Sequence, residues 1–306
     1  MEYPSNQIEF ERAFATDEQC IAFLAQLRFV DGFVCPKCNH TEYWTNNRGL
    51  AVCKICKYQL SVTAGTIFHK SRIPLSLLFR VLWSIVAQKN GASASGVQRI
   101  LGLEKYSTAW TWLHKFRRLM VLPNREKLSG TIEVDETLVG GKQSGKRGRG
   151  AEGKILVIIA IEKQGRKTGR VRLATILNAS KASINQFIKS NIEKGSVIIT
   201  DGWKGYNDLS KMKYTREIED KKLKLDDELI LPKVHRIASL LKRWLLGTHQ
   251  NYVSQDKLDY YLDEFSFRYN RRNSKSRGLL FFSLLKQAVN HEPINNKDIV
   301  KDSKIR

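Results

Sequence analysis

Long apolar runs are missing from this chain of 306 residues. No stretch approaches the roughly 20 residues a helix needs to cross a bilayer. The start, MEYPSNQIEFERAF, has neither the basic head nor the apolar core of a secretion signal. A cytoplasmic protein is therefore expected. Negative charge is scarce as well: 30 acidic residues face 52 lysines and arginines, a net charge of +22. So large an excess points to a polyanionic partner. Nucleic acid is the first candidate, because distributed Lys and Arg neutralise phosphates and release counterions; an anionic membrane surface is the alternative. Apolar content of 42% is ordinary for a globular protein, which excludes disorder as the default.

Cysteine is sparse, and with five the thiols cannot all pair within one chain. Four of them form two C-x-x-C knuckles, CPKC at Cys35 and Cys38 and CKIC at Cys53 and Cys56, with 14 residues between. Each short turn lets two thiolates converge on one ion, so the four fit a tetrahedral Zn²⁺ site. Disulfides are disfavoured in a reducing cytoplasm, and a redox dithiol needs one such motif rather than two. The intervening TEYWTNNRGLAV reads as a short hairpin, as in a zinc ribbon. So small a unit has little core, and metal binding is expected to supply its folding free energy. Lys37, Lys54 and Lys57 around it fit a phosphate-tracking surface and a plain solvated face equally well. Cys20, in EQCIAFLAQLRF, has helical apolar spacing and is expected to pack.

Beyond the ribbon the chain becomes helical. Pro74 suits a first helical turn, followed by Leu77, Leu78, Val81, Leu82 and Ile85 at helical spacing. A short helix from about Ala94 to Leu101, a turn at Gly102 and a second helix from about Ser107 have helix-turn-helix proportions. In that reading Lys105, Tyr106 and Ser107 face DNA while Trp110, Leu113 and Phe116 pack inward. A three-helix packing unit without DNA contact is the alternative.

After a polar connection, LPNREKLSG, the pattern changes. TIEVDETLVGGK, ILVIIAIE, GRVRLATI and SVIITDGWKGYN are short β-branched runs, with one helix-like segment, SKASINQFIKSNI, among them. They predict a mixed sheet in an α/β layer. Asp135 lies inside the first run and Asp201 ends the last. A carboxylate in a core strand is costly unless compensated. Divalent cations compensate well, and two neighbouring aspartates can clamp two ions about 3.5–4 Å apart for phosphodiester chemistry. A turn at Asp201-Gly202 and a solvated Asp135 or Glu136 account for the same residues without chemistry.

CPKC…CKIC, FHKSRIPL, AWTWLHKFR, EVDETLVGGK, VIITDGWKGYN, HRIASLLKRWLLGTHQ and YYLDEFSFRYNRR occur in that order. Over roughly residues 10–290 the chain thereby resembles the insertion-sequence transposases of the DDE superfamily, in the group with an N-terminal zinc ribbon and a ribonuclease H-like catalytic domain. The resemblance implies a multidomain α+β and α/β protein. An N-terminal helix and zinc ribbon would span residues 1–70, a helix-turn-helix-like segment 71–121, a ribonuclease H-like mixed-sheet domain 131–290 and a tail 291–306. It implies Mg²⁺- or Mn²⁺-dependent hydrolysis at the element's ends, then attack of the exposed 3′-OH on target DNA. Partners would be double-stranded DNA, both terminal inverted repeats and target, and a homodimer or larger assembly on that DNA. The setting would be bacterial and nucleoid-associated.

By motif match the catalytic aspartates fall on Asp135 and Asp201 and the downstream lysine on Lys242. The third ligand departs from the pattern. Many relatives place Glu or Asn five residues after the motif's histidine, and Leu240 stands there. Either His235 completes the set, or this copy is an inert zinc-ribbon DNA-binding protein, a degenerate transposase or repressor. Imidazole suits Mn²⁺ better than Mg²⁺. Lys242 follows His235 by seven residues, so the two share a helix face. Lys142, Lys146, Arg147 and Arg149 of the glycine-rich loop, and Arg268, Arg271 and Arg272 near the end, are the candidate DNA contacts; internal carboxylates are the other outlet for the last three, and Glu264 is a reserve ligand.

Overall fold

The computed structural model describes residues 3–122, 124–140, 154–219, 230–251 and 253–301. The chain divides into two units, Met1–Met120 with Ser274–Asp302, and Val121–Asn273 with the last residues. In the first, helix α1 (Gln7–Ala13) is followed by α2 (Asp17–Arg28), which opens on a reciprocal Thr16–Gln19 capping box. Cys20, Leu24 and Leu27 form its buried face, so Cys20 packs as expected. Strands β1 (Tyr43–Thr45), β2 (Ala51–Cys53) and β3 (Gln59–Leu60) make the small antiparallel sheet of the ribbon.

Helices α3 (Leu75–Ala87), α4 (Ala94–Leu101) and α5 (Tyr106–Arg118) come next. Ser93 caps α4 by accepting from the Gly96 amide, and Gly102 ends it at φ 63°, a left-handed turn that favours glycine. The α4–turn–α5 proportions are those read from the sequence, and Lys105, Tyr106 and Ser107 are exposed at the start of α5. Trp110 departs from expectation. It is half-exposed, stacked on His114 at 4.0 Å, while Ala109, Trp112, Leu113 and Phe116 face inward.

The second unit is built on five strands: β4 (Thr131–Val139), β5 (Ile155–Gln164), β6 (Lys167–Ile176), β7 (Val197–Thr200) and β8 (Thr215–Ile218). Their order is β6-β5-β4-β7-β8, with β4, β5 and β6 antiparallel and β7 and β8 parallel to β4. This mixed order is that of a ribonuclease H-like sheet. Helix α6 (Lys181–Asn191) covers one face, where Ile132, Val134, Ile158 and Ile198 meet Ile184, Phe187 and Ile188. Helices α7 (Pro232–His249) and α8 (Leu258–Asn270) cover the other, where Val139, Ile159, Val171 and Ile199 meet Val234, Ile237, Leu241, Trp244 and Leu262.

An open strand edge invites unwanted pairing. On β6 two α8 side chains occupy that edge. Asp259 accepts from the amide and hydroxyl of Thr175, both at 2.9 Å, and Asn270 bonds the Val171 amide at 2.7 Å and its carbonyl at 3.1 Å. Asp259→Ala removes both Thr175 bonds and is expected to cost about 2–4 kcal/mol. Hydrogen exchange at the Thr175 amide checks this, since the variant should lose its protection; unchanged protection would mean that the bond adds nothing.

The last helices are α9 (Arg277–Asn290) and α10 (Asn296–Lys301). Helix α9 groups by contact with the helices of the first unit rather than with the sheet. The reason is an aromatic core: Phe281 of α9 packs edge-on to Phe10 at 5.3 Å, Phe79 at 5.5 Å and Trp83 at 5.7 Å. Among the described residues no helix is long and apolar enough to cross a membrane.

Candidate active site and metal centre

Sheet register brings the two aspartates together. In the parallel β4–β7 pair Thr131 faces Val197, Ile132 faces Ile198 and Glu133 faces Ile199. Carried two residues further, the same register sets Asp201 beside Asp135. Strand alternation puts Asp135 on the face that carries Glu133, under α7, and Asp201 follows the last residue of β7. Each is half-buried. Asp135 Oδ1 accepts the Glu136 amide at 2.8 Å, and Asp201 Oδ1 accepts the Trp203 amide at 3.0 Å. A turn at Asp201-Gly202 is thus present, and it leaves the second oxygen of Asp201 out of that bond.

The stretch DGWKGYN is held residue by residue. Trp203 Nε1 donates to the Ala179 carbonyl at 3.0 Å. Gly205 is needed for space, since a Cβ there would stand 2.6 Å from Trp203 Nε1 and 2.8 Å from Ile184 Cδ1. Tyr206, fully buried, donates its hydroxyl to Glu136 Oε1 at 2.6 Å. Burial pushes the Tyr206 pKa up, and the charges of Glu136, Asp135 and Asp201 push it the same way. The phenol therefore stays a donor, and it ties the Asp201 loop to the residue next to Asp135.

Helix α7 is anchored by a carboxylate that sequence reasoning passed over. Glu133, 0% exposed, accepts the Lys233 amide at 2.8 Å and the Val234 amide at 3.1 Å through Oε2. Free amides and the positive end of the helix dipole make a helix start a natural seat for an anion. The signal was available: Glu133 and Asp135 stand at i and i+2 of one strand, hence on one face.

His235 lies in the first turn of α7 and is exposed, as is Lys242. Although Lys242 is solvent-accessible, desolvation by the surrounding protein lowers its pKa, and the charge of Lys154 adds to that. Leu240 is half-buried against the core on the α7 face of the sheet. The structure does not gather Asp135, Asp201 and His235 into one ligand cluster. Among the described residues, only the four cysteines form a group of three or more such side chains with donor atoms within 4.8 Å of one another.

Lys142, Lys146, Arg147 and Arg149 lie outside the described residues. The three C-terminal arginines, half-buried, each have a partner within the protein. Arg272 donates to the Thr168 carbonyl and stacks 4.2 Å from the Tyr269 ring; Arg271 stacks 4.0 Å from the Phe267 ring; Arg268 pairs with Glu264 at 3.6 Å. Glu264 is accordingly a buried partner of Arg268 and lies in no ligand group. Of these side chains, Arg272 and Tyr269 tie the end of α8 to Thr168 of β6.

The cysteine site is complete in its donors. Cys35 Sγ lies 3.5 Å from Cys56 Sγ, and Cys38 Sγ lies 3.6 Å from Cys53 Sγ. Zn–S bonds of about 2.3 Å give a tetrahedral edge of about 3.8 Å, so the spacing fits zinc. The two knuckles repeat one backbone solution. The Asn39 amide returns to the Cys35 carbonyl with φ 58° at Asn39, and the Lys57 amide to the Cys53 carbonyl with φ 55° at Lys57. Burial opposes the Cys53 thiolate, but the amides of Cys56 and Ile55 outweigh it and bring its pKa down to about 6.

Residues 127–270 match the family described as ISXO2-like transposase domain, and residues 15–59 match the transposase zinc-ribbon domain. A protein of the transposable element ISH50 from Halobacterium salinarum, itself uncharacterised, is 26% identical over 284 residues, covering 84% of this chain and 92% of its own. Among solved structures, the Mos1 transposase paired-end complex with the left transposon end has a TM-score of 0.30 at 9% identity, covering 70% of this chain and 79% of that one. The Mos1 strand transfer complex has a TM-score of 0.29, also at 9% identity, covering 69% and 78%. At such scores the likeness carries no weight, and the strand order stands on its own.

Proposed function

We propose that the chain is an insertion-sequence transposase, with an ISXO2-like transposase domain behind a transposase zinc ribbon, which cleaves DNA at the ends of its element and joins the freed 3′-OH to target DNA. The observation that carries this reading is the pair Asp135 and Asp201, each two residues beyond the paired Glu133 and Ile199 of a β6-β5-β4-β7-β8 sheet and both close enough to Tyr206 to raise its pKa. Both steps are substitutions at phosphorus. Water breaks the 3′ phosphodiester first; the resulting hydroxyl then displaces a 3′-oxygen of the target, so the number of phosphodiester bonds is conserved in joining.

In this reading Asp135 and Asp201 hold the divalent cations, Mg²⁺ or Mn²⁺. When bound, such cations supply Lewis acidity at the phosphate and favour deprotonation of the attacking water. The protein's share is placement. The Tyr206–Glu136 bond holds the two carboxylate-bearing segments together, and Glu133 docks α7 over them. His235 and Lys242, exposed and seven residues apart on α7, both reach outward from one side of the helix. His235 completes the donor set or orients the water, and Lys242 donates to a phosphate oxygen. The zinc ribbon and the α4–α5 pair supply end binding, helped by the net charge of +22. Two ends must meet, so the working form on DNA is a dimer or larger.

His235→Ala is the test of the third position. Five residues separate His235 from Leu240, about 140° around the helix, so His235 would approach the site from a different side of α7 than a residue at position 240. The expected result is a loss of cleavage on the order of 10-fold or more with end binding kept, as for removal of one positioned catalytic group. Near-wild-type cleavage would return His235 to the helix surface. A second reading has its own support in Leu240, which cannot ligate: an inert copy that binds ends and represses its relatives. It predicts end binding without cleavage by the wild-type chain.

A further inference from the structure

Arg216 stands on β8, outside every chemistry-bearing motif of the sequence. Its guanidinium nonetheless ends on the Asp201 loop. Nε donates to Thr200 Oγ1 at 3.1 Å, Nη1 to Asn207 Oδ1 at 2.7 Å, and Nη2 to the carbonyls of Asp201 and Trp203, both at 3.0 Å. The guanidinium carbon lies 5.8 Å from the Tyr206 ring centroid. One planar fork thus bonds both stems of the stretch 200–207, and two of its four bonds go to backbone oxygens, one of them on Asp201 itself. Thr200 Oγ1 also donates to the Asp201 carbonyl at 2.9 Å, which closes the set around that peptide.

The far side of the loop is held separately, by Trp203 on Ala179 and Tyr206 on Glu136. Those bonds restrain its outer residues and tie it to β4. From β8 and β7, Arg216 and Thr200 donate to the Asp201 carbonyl. A ligand carboxylate needs its backbone held to within about 0.5 Å, and groups that orient ligands commonly govern metal affinity. A lysine at position 216 would keep the charge but lose the fork, because an ammonium is a point donor without that planar geometry.

We propose that Arg216 is a positioning residue for cation binding: without touching cation or DNA, it holds Asp201 in register with Asp135. This rests on Asp135 and Asp201 being the cation ligands, and the test separates the two claims. The zinc-loaded full chain is titrated with Mn²⁺ and free Mn²⁺ is read by electron paramagnetic resonance, in wild type, Arg216→Ala, Arg216→Lys and Asp201→Asn. Arg216→Ala is expected to weaken Mn²⁺ binding on the order of 10–100-fold, with end-DNA affinity in the absence of Mn²⁺ unchanged. Arg216→Lys should recover little. Wild-type Mn²⁺ affinity in Arg216→Ala or full recovery in Arg216→Lys, with binding lost in Asp201→Asn, overturns the positioning role and leaves the ligand assignment. Wild-type affinity in Asp201→Asn overturns the assignment itself. Should Arg216→Ala fail to fold by circular dichroism, Asn207→Ala removes one acceptor of the fork at an exposed position. It is expected to weaken Mn²⁺ binding in the same direction by less, and no weakening overturns the proposal.

Discussion

Asp135→Ala and Asp201→Ala are each expected to lower metal-dependent cleavage of end-bearing DNA by about 10²–10⁴-fold, with end binding intact. The magnitude follows from the several kcal/mol that a cation contributes to charge stabilisation in phosphoryl chemistry, at about 1.4 kcal/mol per decade of rate. Binding should survive because neither residue offers positive charge, and both sit on the sheet while the ribbon and the α4–α5 pair belong to the other unit. A stability loss large enough to mimic this result is not expected: both side chains are half-buried, and Ile132, Val134, Ile198 and Ile199 keep the core. End binding by gel shift and cleavage on the same DNA make the check. Cleavage retained in both variants would remove the aspartates from the chemistry.

Removal of zinc is expected to have the other large effect, unfolding of the ribbon with loss of specific end binding. Its core is minimal. Phe33, Cys35, Ala51 and Cys53 are buried with Phe29, Tyr43 and Leu60 packed against them, around strands of three, three and two residues. So little apolar surface does not fold a segment alone, whereas structural zinc contributes roughly 10–16 kcal/mol in comparable small domains. Cys53→Ser should take zinc content from one equivalent per chain to near none and abolish end binding, while the helical signal of the remaining chain persists. Protons compete with the ion for thiolate, so zinc affinity should fall as pH falls. A zinc-free ribbon that keeps its amide protection from exchange would contradict this.

The parts of this account that were legible in sequence are those set by short-range rules. Paired knuckles announce four convergent thiolates, and the structure brings the four together. The helical spacing of Val234, Ile237, Leu241 and Leu245 marks the buried face of α7, and the alternation in TIEVDETLV separates Asp135 from Ile132 and Val134. What escaped depends on partners far along the chain. Nothing local tells that Phe281 joins Phe10 and Trp83, so the grouping of α9 with the N-terminal helices is not readable from the sequence. Arg271 and Arg272 could be read as DNA contacts or as partners of internal carboxylates, and nothing local points to Phe267, Tyr269 and Thr168 beside them. Arg216 gave no sign at all, since an arginine in a short edge strand is ordinary until its four acceptors are known. His235 is the intermediate case: its place in the first turn of α7 was readable, whereas its relation to the aspartates was not.

The central claim is that the register-matched Asp135 and Asp201 make this chain a cation-dependent DNA end-cleaving enzyme. The most direct measurement incubates the zinc-loaded wild-type chain and the Asp135→Ala/Asp201→Ala double variant with duplex DNA carrying the element's end and a target duplex. Products are followed with Mg²⁺, with Mn²⁺ and with neither. The account predicts a new 3′-OH at the element end, then its joining to target, from the wild type only and only with an added divalent cation. End-bound DNA that stays uncut by the wild type, or is cut equally by the double variant, would contradict it.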